Sequence, residues 1–396
     1  MLGRKAWEFL AGSGNHVFRP GFGNLIIGSS DGGRGAREIS VNKLDPLPVP
    51  NLNHRFPFIM SSTTSLTELC RQKALELGFD VCGFSSVDVK LYREYYLKWI
   101  EEKQHGTMQW MERNNDRRLQ PSNILPEARS IVVVGLNYYQ DAPEMRGTIA
   151  KYALGKDYHK IMYKRLKRLC TWMQEQGGAQ KPYVDTGPLL EKPIAAGAGL
   201  GWVGKSTLLL HRKYGTFMFL GAVVTTLDFD EDPVENDHCG SCTRCLDICP
   251  TNAFPAPYQL DATKCISYLT IEHHGSIPVE YRKPMGDKVY GCDDCLDVCP
   301  WNRWAQKTRE ARFLFQGLPD LAETLAWDED AFNERFQGTP IRRLKLPRWK
   351  RNVCVVLGNI GTREDIVRLQ ALVESDDSMV AEHASWAIQE IKERCS

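Results

Sequence analysis

Apolar positions three and four residues apart mark the first helix. Leu66, Leu69, Cys70, Ala74 and Leu77 share one face, Ser65 or Thr67 can cap the start, and Gly78 ends it. The pattern then predicts a short strand from Phe79 to Phe84 and a long amphipathic helix over 91–114. A buried strand from Ser130 to Tyr139 and a helix from His159 to Gln176 with a basic outer face follow, and Phe217 to Leu227 is a further apolar strand. This alternation predicts an α/β core over residues 64–230, roughly 170 residues and a normal domain size. After Trp304 the pattern is helical throughout, and from Leu344 it reads as two helix pairs. Their apolar positions are Val353, Val356, Leu357 and Ile360, then Ile366, Leu369 and Leu372, then Val380, Ala384, Ala387, Ile388 and Ile391, with breaks at Gly361 and Asp376-Asp377. That period suggests a short α-solenoid of HEAT type over residues 305–396. Residues 231–304 form a separate, cysteine-rich module. The first 63 residues are rich in Gly, Ser, Arg and Pro, with only Glu8, Asp31, Glu38 and Asp45 as acids. They are expected to be a disordered extension, read as an over-extended start, with an organellar targeting peptide as the other reading.

Composition excludes little. A hydrophobic content of 42% is that of an ordinary globular protein. No apolar run reaches the roughly 20 residues a membrane span needs, so no membrane association is expected. With 50 basic against 49 acidic residues there is no global attraction to a polyanion, and nucleic-acid binding would need a local patch. One exists: Arg342, Arg343, Lys345, Arg348, Lys350 and Arg351 lie within ten residues with no acid among them, interleaved with Trp349. Such a helix end can neutralise phosphates without reading bases. The alternative is a solvated helix face.

Eight of the thirteen cysteines lie between Cys239 and Cys299. In a chain this large, that clustering points to metal ligands and a reducing cytosol rather than disulfides, so a cytoplasmic protein is expected, with a monomer as the simplest state. Cys239-x-x-Cys242-x-x-Cys245-x-x-x-Cys249-Pro250 is the bacterial ferredoxin spacing, in which three thiolates hold one 4Fe-4S cluster and the fourth reaches the other. The second half is stretched: Cys265 stands alone, and Cys292-x-x-Cys295-x-x-x-Cys299-Pro300 follows. Crossing the ligands assigns Cys239, Cys242, Cys245 and Cys299 to cluster 1, and Cys249, Cys265, Cys292 and Cys295 to cluster 2. Two zinc sites are the competing reading, but zinc does not call for a Cys-x-x-x-Cys-Pro ending in both halves. Clusters of this kind imply low-potential electron transfer, fed by an external donor.

Gly199-Leu-Gly-Trp-Val-Gly204-Lys205-Ser206 matches a phosphate-binding loop letter by letter. Such a loop needs a buried strand before its first glycine, and Pro193-Ile-Ala-Ala-Gly-Ala is too short and small to be one. Leu227-Asp228 imitates the acidic strand end of ATPases, which keeps an ATP-dependent iron–sulfur protein as an alternative. Otherwise the loop brings backbone close to a bulky ligand.

Several segments together resemble epoxyqueuosine reductase: Val184-Asp185-Thr-Gly-Pro-Leu-Leu-Glu191, the Gly199–Ser206 loop, both cysteine runs and His273-His-Gly-Ser-Ile-Pro278. Arg118-Leu-Gln-Pro121, Lys151-Tyr-Ala153, Asp157-Tyr-His159 and Cys-Pro-Trp301-Asn302 fit as well, so the resemblance covers residues 64–396. It implies an α+β multidomain protein with a nitroreductase-like, cobalamin-binding α/β core, a ferredoxin-like module for two 4Fe-4S clusters and a C-terminal HEAT-like solenoid. The implied reaction reduces epoxyqueuosine at wobble position 34 of tRNAs with a GUN anticodon to queuosine, releasing water in the last step of queuosine biosynthesis. Electrons pass through the clusters to cobalamin, and Asp185 donates a proton as oxygen leaves. General-acid protonation of a poor leaving group contributes about 10²- to 10⁴-fold. Asp185 must then be protonated, and burial beside the corrin is expected to raise its pKa from the usual value of about 3.9. From its neighbours alone, Asp185 reads as an Asx-turn residue before Gly187-Pro188. The Asp-x-His-x-x-Gly pattern of a histidine cobalt ligand is missing, since Asp157-Tyr-His159 stops short of it. The corrin is therefore expected to be held by backbone and shape, with Arg118, His159, Asp185, Gly199, Gly201, Lys205, Glu272 and His273 as candidate contacts. The rival activities are a corrinoid reductase of a small molecule, similar to dehalogenases, and a non-catalytic electron-transfer or RNA-binding protein.

Overall fold

Strand β2 (Ser130–Asn137) is buried along its whole length, and its alternate residues feed two different cores. Val132, Val134 and Leu136 point to one face with Met162, Leu166 and Leu169, while Ile131 and Val133 point to the other with Ile194, Ala195 and Ala196. Each such branched side chain taken from water contributes about 1.5–3 kcal/mol. The computed structural model describes residues 64–88 and 92–396, and the expected N-terminal extension lies outside them.

Four strands make the sheet, in the order β1 (Val81–Ser86), β2, β4 (Met218–Thr225), β3 (Gln180–Tyr183). Every pairing is antiparallel, with Ser130 opposite both Ser86 and Thr225. The alternation of helices and strands thus runs through an antiparallel sheet, an α+β arrangement. Helices α1 (Leu66–Glu76) and α3 (Tyr158–Glu175) cover one face, and α4 (Glu191–Gly197) covers the other. Ser65 caps α1 by accepting from the Glu68 N–H, and Gly78, at φ +88°, ends it.

The helix expected over 91–114 is cut short. Helix α2 spans only Arg93–Glu101, and the chain then turns with positive φ at Lys103, Gly106 and Asn114. Contacts with the cysteine module account for this. The Trp99 indole donates to the Leu260 carbonyl at 2.7 Å, the Thr107 N–H donates to the Tyr268 hydroxyl at 2.9 Å, and a Cβ at Gly106 would meet that hydroxyl at 2.5 Å. Residues 305–328 are also not helical throughout, consisting of extended chain with single turns at Ala311–Phe313 and Glu323–Ala326.

Between Cys265 and Cys292 the cysteine module carries a six-residue helix, α5 (Ile266–Ile271), and a further single turn at Val279–Arg282. C-terminal to the module, α6 (Glu329–Arg335) precedes three helices instead of two pairs: α7 (Lys345–Ile360), α8 (Asp365–Val373) and α9 (Ser378–Arg394). Their core is shared with earlier segments, since Trp349, Val353 and Leu357 pack in one cluster with Ile149, Ile271, Val289 and Tyr290. Helix α7 also carries a buried polar face. Arg351, 0% exposed, donates to the carbonyls of Leu269, His273 and Gly275, Asn352 to those of Thr270 and Val289, and Asn359 to those of Arg282 and Gly286. These are the carbonyls of the 265–292 excursion, which has little regular structure to satisfy them internally.

Replacing Arg351 with Met leaves three carbonyls without their donor. At about 1–3 kcal/mol for each unsatisfied buried group, the variant should unfold at clearly lower temperature and be cut readily by protease near Gly275. Val367→Ala, on the exposed side of α8, should change neither. Equal melting and cleavage of R351M and wild type would remove Arg351 as the clasp.

Candidate active site and cluster module

Asp185 follows β3 and adopts φ +57°, a left-handed conformation that Asp tolerates better than most residues. Its side chain makes no Asx turn. Oδ2 accepts from the Tyr158 hydroxyl at 3.0 Å and lies 3.2 Å from His159 Nε2, while His159 Nδ1 lies 2.7 Å from Asp157 Oδ1. Asp157 is also the N-cap of α3, accepting from the His159 N–H, so one residue sets the helix start and the ring's orientation. The Asp157-Tyr-His159 fragment thus forms a relay to Asp185.

The expectation that burial raises the Asp185 pKa is not met. Burial does push it upward, but the His159 hydrogen bond and charge, then the Tyr158 hydroxyl and Arg343, outweigh it and hold the carboxyl below its ordinary value. The proton resides next door. Burial alone would lower His159, but its bonds to Asp157 and Asp185 carry it to about 9. Glu191, whose Oε1 accepts the Asp185 backbone N–H at 2.7 Å, is pushed up to about 8 by burial and then by the Asp185 charge. At neutral pH the group therefore contains an ionised Asp185 flanked by a charged imidazolium and a neutral carboxylic acid. The Asp185 side chain is still 52% exposed, so these groups face a water-accessible recess.

Two candidates from elsewhere in the chain face the same recess. Glu272, on the excursion pinned by α7, accepts from Arg343 at 2.5 Å, and both act electrostatically on Asp185. Burial lowers the pKa of Lys192, which follows Glu191 in the first turn of α4, and the charges of Cys295, Asp185, Cys265 and Glu191 oppose that shift. Tyr158, Glu191 and Lys192 are absent from the sequence-derived candidates. Glu191 was legible only as the end of the Asp185 motif, and Lys192 had no signal.

Other candidates lie elsewhere. Arg118 is buried and donates to the Trp110 carbonyl, with its Nε left without a partner. The His273 ring faces the Ser276 carbonyl at 2.9 Å. The glycines of the loop make room for the protein's own backbone. A Cβ on Gly199 would strike the Pro233 carbonyl at 2.7 Å, and one on Gly201 the Leu210 carbonyl at 1.9 Å. These glycines serve the ribbon of Trp202–Val203 against Leu209–Leu210. Helix α4 precedes them where a phosphate loop would have a strand. Lys205 Nζ is occupied by the carbonyls of Gly240 (2.6 Å) and Cys242 (3.0 Å).

The thiols assemble in the crossed sets. Cys239, Cys242, Cys245 and Cys299 line one cavity of about 260 Å³, with Lys205, Trp301 and Trp304 in its wall. Cys295 lies beside Cys265, Cys292 and Cys249. The basic run divides. Arg342, Arg343 and Lys345 are exposed, Arg348 and Lys350 are half-buried with Arg348 donating to the carbonyls of Ile271 and Leu344, and Arg351 is the buried clasp. Arg348 and Arg351 are therefore committed to the protein's own carbonyls, contrary to the expectation of six solvent-facing cations.

Residues 238–302 match the 4Fe-4S double cluster binding domain, so the module is one for two iron–sulfur clusters. Residues 118–186 match the family described as epoxyqueuosine reductase QueG, DUF1730. The epoxyqueuosine reductase of Xanthomonas campestris is 41% identical over 333 residues, covering 80% of this chain and 94% of its own, and that of Escherichia coli K12 is 38% identical over 351 residues, covering 85% and 93%. This chain belongs to the epoxyqueuosine reductases. A crystal structure of an epoxyqueuosine reductase with a tRNA-Tyr epoxyqueuosine-modified stem loop superposes with a TM-score of 0.78 at 30% identity, covering 82% of this chain and 90% of that one. The Bacillus subtilis reductase, solved with a catalytic aspartate loop swung out of the active site, gives 0.76 at 30% identity and the same coverages.

Because His159 titrates higher folded than the usual unfolded value of about 6.5, its stabilising contribution is complete below pH 6.5 and fades as pH rises through about 9. The melting-temperature gap between wild type and His159→Gln should therefore be widest near pH 6 and close by pH 10. A gap independent of pH would mean that the imidazole is not held charged.

Proposed function

We propose that this reductase converts epoxyqueuosine in tRNA to queuosine. The observation that carries the reading is the group around Asp185. Opening the epoxide to an alkene consumes two electrons and two protons and releases the oxygen as water. His159 and Glu191, both protonated at neutral pH, flank Asp185 and supply the protons, and the module's two clusters would supply the electrons.

In this reading Asp185 is the group that hands a proton to the departing oxygen, and His159 is the store that refills it. Asp157 keeps the ring in place, with Nδ1 facing its own carboxylate and Nε2 facing Asp185. Tyr158 holds the receiving oxygen of Asp185 in position. Glu191 fixes the Asp185 backbone and contributes the second acid. The proton pathway runs through groups already within hydrogen-bond reach of one another, as efficient proton transfer requires.

Cobalamin is the proposed partner of the clusters. The recess suits an amide-rimmed macrocycle, since Asp185, Glu191, Glu272 and Arg343 offer hydrogen-bonding groups of both polarities. Bound there, the corrin would supply low-valent cobalt to the epoxide carbon. Arg118, His159, Asp185 and Glu272 remain proposed contacts, whereas Gly199, Gly201 and Lys205 are committed to the cluster 1 side.

For the RNA, Arg342, Arg343 and Lys345 present cations at the start of α7; Arg343 and Lys345 act on His274, and Arg343 also acts on Asp185. They suit phosphates flanking a splayed loop nucleotide. The HEAT-like helices α7 to α9 are the proposed platform for that grip, a cytoplasmic location fits the substrate, and an external low-potential donor must feed the clusters.

The deciding measurement is mass spectrometry of nucleosides from epoxyqueuosine-containing tRNA after anaerobic incubation with reconstituted protein and a strong reductant, with cobalamin present or omitted. Conversion to queuosine only with cobalamin is expected. Asp185→Asn should abolish turnover while retaining both clusters, and wild-type turnover should fall above about pH 8 as Glu191 and then His159 lose their protons. Undiminished activity in D185N would remove Asp185 from the reaction. Failure to convert the tRNA, with clusters and corrin bound, would favour a small-molecule substrate. Separately, R342E/K345E should weaken tRNA binding and make the salt slope shallower by about 0.7–0.9 for each phosphate that the protein no longer neutralises. An unchanged slope would exclude these cations from the RNA surface.

A further inference from the structure

The Gly199–Ser206 segment lies outside the two matched stretches, 118–186 and 238–302, and its resemblance to a phosphate loop is unexplained by the reaction. Trp202, Gly204 and Lys205 gather beside the cluster 1 cysteines. Trp202 is 3% exposed and its Nε1 is buried without a hydrogen-bond partner that meets normal geometry. That indole packs edge to face with His238, 4.9 Å between ring centroids, and His238, Lys205 and Cys239 line one cavity. A Cβ at Gly204 would stand 3.2 Å from the same sulfur. Lys205 Nζ reaches over the cysteine loop to the carbonyls of Gly240 and Cys242. Trp301, from the Cys299-Pro-Trp turn, closes the far side with its ring centroid 4.8 Å from that of Trp202.

We propose that this segment is a cluster 1 cradle that tunes the cluster's reduction potential: Trp202 and the Lys205 backbone donate N–H···S bonds to Cys239, Gly204 makes room for the sulfur, and the Lys205 ammonium clamps the ligand loop. The shared chemistry explains the false match. A phosphate loop and a cluster loop both use glycines to bring backbone N–H groups against an anion, and a lysine to secure it. Reducing a cluster adds negative charge beside its sulfur ligands, so donors there favour the reduced form and raise the potential. Cluster 2 has no part in this cradle and serves as an internal reference.

The test uses the full chain with both clusters reconstituted. In redox titrations followed by electron paramagnetic resonance, Trp202→Phe should lower the cluster 1 potential by about 59 mV, equivalent to a tenfold smaller reduced fraction at a fixed potential for a one-electron couple, and leave cluster 2 unmoved. Lys205→Met should make cluster 1 the first to be lost to a chelator, and Lys205→Arg should restore its retention. Equal potentials in wild type and W202F, or a shift shared by both clusters, would overturn the proposal. If W202F fails to load cluster 1, wild-type protein carrying tryptophan labelled with ¹⁵N only at the indole decides the matter. A ¹⁵N coupling to reduced cluster 1 is expected, and its absence refutes the N–H···S bond. Tight binding of MgATP to the wild-type protein would return the segment to the phosphate-loop reading and refute the cradle.

Discussion

The buried polar face of α7 is the constraint on which the candidate site depends. Between Cys265 and Cys292 the chain leaves ferredoxin-like spacing for an excursion that has only six residues of α5 as a sizeable regular element. Its carbonyls must still be satisfied, and the donors come from Arg351, Asn352 and Asn359 on a helix more than fifty residues later. Arg351 does this as a cation with no carboxylate partner among the described residues, its pKa lowered to about 9 by burial and then by Arg348. A neutral residue could not donate to three carbonyls at once, which is the property of a planar guanidinium with five donors. Because the excursion is held there, Glu272 meets Arg343 and both meet the Asp185 recess. The helical C-terminal region therefore builds part of the site and is more than an appendage to it.

The parts of the fold legible in the sequence were those decided by local pattern. Ser65 and Gly78 delimit α1, and the apolar run at 130 gives a strand buried on both faces. Strand direction was not legible, because alternating helices and strands serve antiparallel sheets as well as parallel ones. Two other errors share a cause. The helix expected over 91–114 stops at Glu101 because Leu260 and Tyr268 draw the chain away, and the six-cation run loses Arg351 to the excursion's carbonyls. In both, a distant segment outbid local preference with hydrogen bonds that no periodicity records.

The candidate site divides in the same way. Cysteine spacing, set by the chemistry of the cluster itself, placed all eight thiols in two sets that the fold brings together. Asp185 and His159 were legible as motif members, but not the bond between them, since Asp157-Tyr-His159 reads equally as a broken cobalt-ligand pattern. The Gly199–Ser206 loop matches a phosphate loop in its letters because such letters report glycines that let backbone approach a neighbour closely, and here the neighbours are the Pro233 and Leu210 carbonyls and the Cys239 sulfur.

The ionised state of Asp185 bears on how protons and electrons are matched. A carboxyl kept neutral by burial would hold its proton regardless of what occupies the recess. An ionised carboxylate bonded to an imidazolium behaves differently, because the proton between them moves with the local charge. Negative charge developing on a departing oxygen beside Asp185 would favour transfer from His159 to the carboxylate and on to that oxygen, while Asp157 stabilises the imidazolium until then. In the resting protein the same pairing costs little, since the carboxylate is satisfied by two donors and half exposed to water. The pKa balance that keeps the proton on His159 thus persists until the oxygen itself becomes basic.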